Sequence, residues 1–234
     1  MLTFSRVSTN IIHLYSIYIP ERSDQLSACW NSLDESERLR ADRFFLAADR
    51  QRFLIAHGLL RKVLSLYVDQ PPEALQFTYG ESGKPYVLQS SPGRVQFSLS
   101  HSRDCAVIAV TQNDDVGVDI EYIDPRKKTK RIAERYFSDL EYAYYHQAKE
   151  KDVTFYQLWT AREAFIKAKG EGLFRHAWHH FSVDLEQPGI LEKTGRGFCR
   201  QDQWHLQHLF PCQQYVTAIC WQGVPKNIEI QEVT

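Results

Sequence analysis

"VQFSLSHSRDCAVIAVTQNDDVGVDIEY", residues 95–122, decides the fold class. Its three apolar runs, 95–100, 105–111 and 116–122, read as strands, and only "HSRD" and "QNDD" join them. Both connections read as short polar turns. Upstream, alternation over 11–19 predicts a first strand. "SLDE" (32–35) has the spacing of a capping box, and helical periodicity then runs through 34–67. "DQPPEAL" and "YGESGKPY" (79–86) read as loops. Downstream, helices are predicted near 128–137, 139–150 and 153–168, and strands at 181–185, 204–210 and 215–221.

Strand, helices, strands, then the same order again, is an α+β pattern rather than an alternating βαβ one. The two halves, 1–112 and 113–234, match in pattern and not in residues. They predict two similar α+β lobes, mostly antiparallel sheets with packed helices, and a site where the lobes meet. A duplicated chain of this kind needs no second subunit to complete a site, so a monomer is expected.

The bulk properties exclude several function classes. With 43% hydrophobic and 24% charged residues, the 234-residue chain is globular rather than disordered. A net charge of -1 gives no global field for nucleic acid. Basic clusters at 38–43, 50–52 and 126–131 suit a small anionic ligand, though each alone also reads as a solvated surface. Five scattered cysteines without C-x-x-C predict reduced thiols and a cytoplasmic location. The N-terminal stretch lacks signal-peptide character, and no run approaches the ~20 apolar residues that span a bilayer.

"DIE" (119–121) puts Asp119 and Glu121 on one strand face with Ile120 opposite. Like charges side by side repel, and a hard cation such as Mg²⁺ would remove that cost; an exposed strand face is the alternative. In "LWTAREAFIKAKGEGL" (158–173), Glu163 falls inside an apolar run between Arg162 and Lys167. "GESGKP" (80–85) fails as a phosphate loop, because Pro85 stands where Ser or Thr would hold a metal, but it can turn and present Lys84. "SLSHS" (98–102) lacks a nucleophile elbow, and its Ser100 and His101 suit phosphate oxygens instead. His205 and His208 would face opposite ways on a strand, so no metal site is assigned there.

In order, "GKP" (83–85), "SLSHS", "VGVDIEY", "RYFSDLEY" (135–142) and "LWTAREAFIKAKGEGL" resemble the Sfp-type 4′-phosphopantetheinyl transferases. The family pattern is G-K-P, S-H-S, G-(I/V)-D-(I/V/L)-E, F-x-x-x-E and W-x-x-K-E-(A/S)-x-x-K-x-x-G. Arg162 departs from it, standing where the family usually has Lys. The resemblance implies transfer of the phosphopantetheine arm of coenzyme A to a serine of an apo acyl or peptidyl carrier protein, releasing 3′,5′-ADP. It implies Asp119, Glu121 and Glu163 as ligands of Mg²⁺, with Mn²⁺ possible in its place. By the same resemblance, Lys84, Ser100 and His101 contact phosphates, and Arg162 and Lys167 neutralise charge at the pyrophosphate. Arg40 and Arg52 fall near coenzyme positions, and Glu141 matches an acidic helix position of unassigned role. Glu163 is the candidate base, directly or through a metal-bound water, with Asp119 and Lys167 beside it in catalysis. Trp159 and Phe165 are expected to anchor their helix. The competing readings are a binding module without turnover and another Mg²⁺-dependent phosphotransferase; neither nucleic acid nor membrane is expected as a partner.

Overall fold

Alternation and helical periodicity build two α+β units. In the computed structural model, which describes residues 9–68, 70–88, 95–170, 180–194 and 197–233, β1 (Ile11–Tyr18) leads into α1 (Leu26–Ser32), α2 (Glu35–Asp42) and α3 (Ala47–Ser65). Two short strands, β2 (Phe77–Tyr79) and β3 (Pro85–Val87), precede β4 (Val95–Ser102) and β5 (Cys105–Gln112). The pattern then repeats as β6 (Val116–Tyr122), α4 (Thr129–Tyr136), α5 (Asp139–Gln147) and α6 (Lys151–Lys169). β7 (Phe181–Asp184), β8 (Gly189–Thr194), β9 (Gly197–Arg200), β10 (Trp204–Leu209), β11 (Tyr215–Gln222) and β12 (Asn227–Gln231) complete it.

The first unit takes the described residues of Met1–Tyr79, Pro85–Asn113 and Lys226–Thr234, and the second those of Gly80–Lys84 and Asp114–Pro225. In the first, strands lie in the order β12-β1-β5-β4, with β12 parallel to β1 and the other pairs antiparallel. Ile55, Leu59 and Val63 of α3 share a core with Phe97, Ile108 and Val110 of that sheet. In the second, β10-β11-β6 is antiparallel, and α6 lies on it. Ala161, Ala164, Phe165 and Ala168 pack there with Val216, Ala218 and Cys220. Phe165 meets Phe181 and Trp204 edge-on, and Trp159 meets Tyr136 of α4 edge-on, so both aromatics do anchor the helix.

Differences from the sequence reading have local causes. The capping box is not "SLDE": Ser32 closes α1, and Asp34 caps α2, accepting from the Glu37 N–H while the Glu37 carboxylate accepts from the Asp34 N–H. The box therefore sits two residues further on. β4 extends through Ser102, so Ser100 and His101 are strand residues and the turn is Arg103–Asp104, with Arg103 at φ 49.

Candidate active site

β6 and α6 meet at a glycine. A Cβ on Gly117 would stand 2.0 Å from the Ala164 carbonyl oxygen and 2.4 Å from the Ala168 nitrogen, so only a bare backbone allows this approach. Gly117, Asp119 and Glu121 share a strand face by alternation, which turns both carboxylates to the side that carries the helix. Across from them, Lys167 Nζ donates to Asp119 Oδ1 at 2.7 Å and to the Val118 carbonyl at 3.2 Å. Asp119 is 5% exposed.

Glu163 lies one helical turn before Lys167 and is 8% exposed. Burial, first, and then the neighbouring Asp119 charge push its carboxyl up to about 7, against which Lys167 pulls; Glu121 adds to the rise. Among the described residues its carboxylate makes no hydrogen bond and no ion pair. A buried carboxylate without partners is costly, and such groups concentrate where chemistry is done. As the side chains stand, no group of three His, Cys, Asp or Glu residues among those described is arranged to hold a metal ion. The donor chemistry still fits a hard cation: three mutually repelling carboxylates, one of them held half-protonated near neutral pH, are what oxygen-seeking Mg²⁺ stabilises.

Arg162, next in sequence to Glu163, requires a correction. It is fully buried, and its Nη1 donates to both oxygens of the equally buried Glu141 at 2.6 Å. Its guanidinium lies 4.3 Å from the centroid of the Phe181 ring. Glu141 also accepts from the Ser138 and Val183 N–H groups and forms the capping box of α5. Arg162 is thus a core cation locked to a helix cap, not a group facing a pyrophosphate, and Glu141 acquires its role as that partner.

Lys84 is corrected in the same way. It is 9% exposed, with its ammonium donating to Asp115 at 2.9 Å and to the Ala168 carbonyl at 2.7 Å. The turn does not hold the charge out to a ligand. The remaining candidates belong to the first unit. Arg40 is exposed, with its guanidinium over the Phe53 ring. Arg52 is held by Asp49 at 2.8 Å and by Asp104 at 3.3 Å, which brings it to the tip of the β4–β5 hairpin. Ser100 is buried and His101 exposed near that tip. His205 and His208 take different partners, the Gly223 and Gln157 carbonyls, and form no joint site. Glu171, Gly172 and Leu173, the end of the last motif, lie outside the described residues.

Residues 115–220 match the family described as the 4′-phosphopantetheinyl transferase superfamily, and residues 19–113 match the 4′-phosphopantetheinyl transferase N-terminal family. The 4′-phosphopantetheinyl transferase Sfp of Bacillus subtilis is 32% identical over 181 residues, covering 75% of this chain and 78% of its own. The chain belongs to the 4′-phosphopantetheinyl transferases. The transferase HetI of a Nostoc strain is 29% identical over 215 residues, covering 91% of this chain and 88% of its own. The two family matches together run from α1 into β11, so the β6–α6 cluster falls inside the matched region, with β1 and β12 outside it. No helix among the described residues is long and apolar enough to cross a membrane.

Proposed function

We propose that this transferase moves the 4′-phosphopantetheine arm of coenzyme A onto a serine hydroxyl of an apo acyl or peptidyl carrier protein and releases 3′,5′-ADP. Family membership supports the substrates. The observation that supports the site is Glu163, a buried carboxyl near half-ionisation at neutral pH beside Asp119, Glu121 and Lys167. The serine oxygen bonds to the phosphorus that carries the pantetheine. The bond to the bridging oxygen breaks, and its electron pair leaves with 3′,5′-ADP. Glu163 takes the serine proton as general base. Lys167, fixed against Asp119, offsets negative charge on the diphosphate.

Asp119, Glu121 and Glu163 would hold Mg²⁺, or Mn²⁺ in its place. Bound there, the ion supplies neutralisation of the diphosphate oxygens. Arg40, Arg52, Ser100 and His101 are the proposed coenzyme contacts, His101 toward the 3′-phosphate. The same reading makes the protein a cytoplasmic monomer; sedimentation of the purified chain checks the oligomeric state.

One assay tests the function. The protein is mixed with Mg²⁺, coenzyme A and an apo carrier protein, and the intact carrier is weighed. The expected result is a carrier heavier by one phosphopantetheine with equimolar 3′,5′-ADP, abolished by a chelator and restored by Mg²⁺. Coenzyme binding without a mass gain would make the protein a binding module. Coenzyme cleavage that needs no carrier would make it a different phosphotransferase.

A further inference from the structure

The turn Gly80–Lys84 lies between β2 and β3, two strands of the first unit, yet belongs to the second. It is tightly made: Gly80 N–H donates to the Lys84 carbonyl, Gly83 N–H donates to the Gly80 carbonyl, and Gly83 takes φ 86. At its end Lys84 buries a long aliphatic stem and delivers its ammonium to two acceptors far apart in sequence. One is Asp115, the residue just before β6, whose own carbonyl accepts from Gln222 of β11. The other is the Ala168 carbonyl in the last turn of α6.

Carbonyls of a helix's last turn lack intrahelical donors, and a cation there also answers the negative end of the helix dipole. Gly170, at φ 66, turns its N–H back on Ile166 and Lys167. Lys84 therefore adds a bond at Ala168 from outside the helix. Lys167, which reaches Asp119, is the residue next to Ala168, and Asp115 directly precedes the strand that carries Asp119 and Glu121. The bare Gly117 backbone touches the same helical turn.

We propose that Lys84 is a positioning residue for the transfer reaction: its ammonium clamps the start of β6 to the end of α6. The clamp fixes the strand–helix register on which the Asp119–Lys167 pair and the setting of Glu163 depend. Charge on Lys84 then serves turnover rather than coenzyme affinity. This rests on the transfer function proposed above.

The test compares Lys84→Met, Asp115→Ala and the double variant. Two readouts are taken: turnover and coenzyme A dissociation constant under saturating Mg²⁺, and amide exchange of residues 166–170 in ligand-free protein. Each single variant should lower kcat about 10-fold or more, the scale of a sub-ångström misplacement in a preorganised site. Coenzyme affinity should change less than about threefold, exchange at 166–170 should quicken, and the double variant should fall no further than the worse single. A Lys84→Met protein that binds coenzyme tenfold more weakly with unchanged kcat would overturn the proposal. So would an Asp115→Ala protein with wild-type kcat and exchange. Asp115 is partly exposed, so its variant carries the test should Lys84→Met fail to fold. Absence of transfer by the wild-type protein would sink the proposed function alone, because the exchange readout judges the clamp without it.

Discussion

The two units bury the same device and then diverge by one residue. In the first, Arg61 on the 19-residue α3 donates to Glu37, the capping-box glutamate of α2, at 2.7 Å, and its guanidinium lies over Phe77 at the start of β2. In the second, Arg162 on the 19-residue α6 donates to Glu141, the capping-box glutamate of α5, and lies over Phe181 at the start of β7. Each arginine ties a long helix to the N-terminus of the helix before it. The next residue separates them: Lys62 is exposed, whereas Glu163 is buried beside another carboxylate. Buried charge paired with its opposite ties the elements of each unit together. Buried charge held against a like charge is what the second unit adds for chemistry.

The largest expected effect falls on that added residue. Glu163→Ala or Asp119→Ala should lose at least about 100-fold in turnover, the scale of removing an electrostatic element from a preorganised site. The folded state should persist, as followed by circular dichroism. A Glu163→Ala protein with wild-type turnover would make the two units functionally alike and break the contrast.

Next come the matched pairs. Arg162→Ala and Arg61→Ala each leave a glutamate buried without its cation and should cost about 3–5 kcal/mol in denaturant unfolding. If Arg162 worked on the pyrophosphate instead, its loss would appear in kinetics and leave stability near wild type. Arg162→Lys should fall between, because an ammonium cannot reproduce the guanidinium's planar stacking on Phe181.

A smaller effect follows from the carboxyl itself. Glu163 binds its proton more tightly folded, near 7, than unfolded, near 4.5. Its contribution to stability is fully present below about pH 4.5 and is lost as the pH rises through 7. Glu163→Gln should therefore stabilise the metal-free protein by up to roughly 3 kcal/mol at pH 8, with the gain vanishing below pH 5. The corresponding change at exposed Lys62 should stay within about 0.5 kcal/mol at any pH.

The sequence carried the parts whose signal is periodic or local. Cys105–Gln112 shows as a continuous apolar run, the apolar face of α6 repeats at helical spacing, and the Asp119/Glu121 pair follows from alternation alone. Other parts depend on distant partners. β12 exists by pairing with β1 across the whole chain, and β2 and β3 are three residues each, too short for a pattern. Two boxes of equal spacing competed near residue 34, and the one beginning at Asp34 won because α1 already claims Ser32. Arg162 and Lys84 were misread for one reason: a motif gives the sign of a charge but not the carboxylate or carbonyl that meets it, here Glu141, Asp115 and Ala168. A glutamate three residues after Ser138 hints at the cap, and nothing local hints at Asp115.

The most direct measurement is the titration of the Glu163 carboxyl itself. Carbon-labelled glutamate would be followed by NMR and assigned by comparison with Glu163→Gln, first without metal and then with saturating Mg²⁺. The account predicts a midpoint near 7 without metal, falling back into the ordinary carboxylate range when the cation neutralises Asp119 and Glu121 beside it. A midpoint near 4.5 in the metal-free protein, unmoved by Mg²⁺, would contradict it.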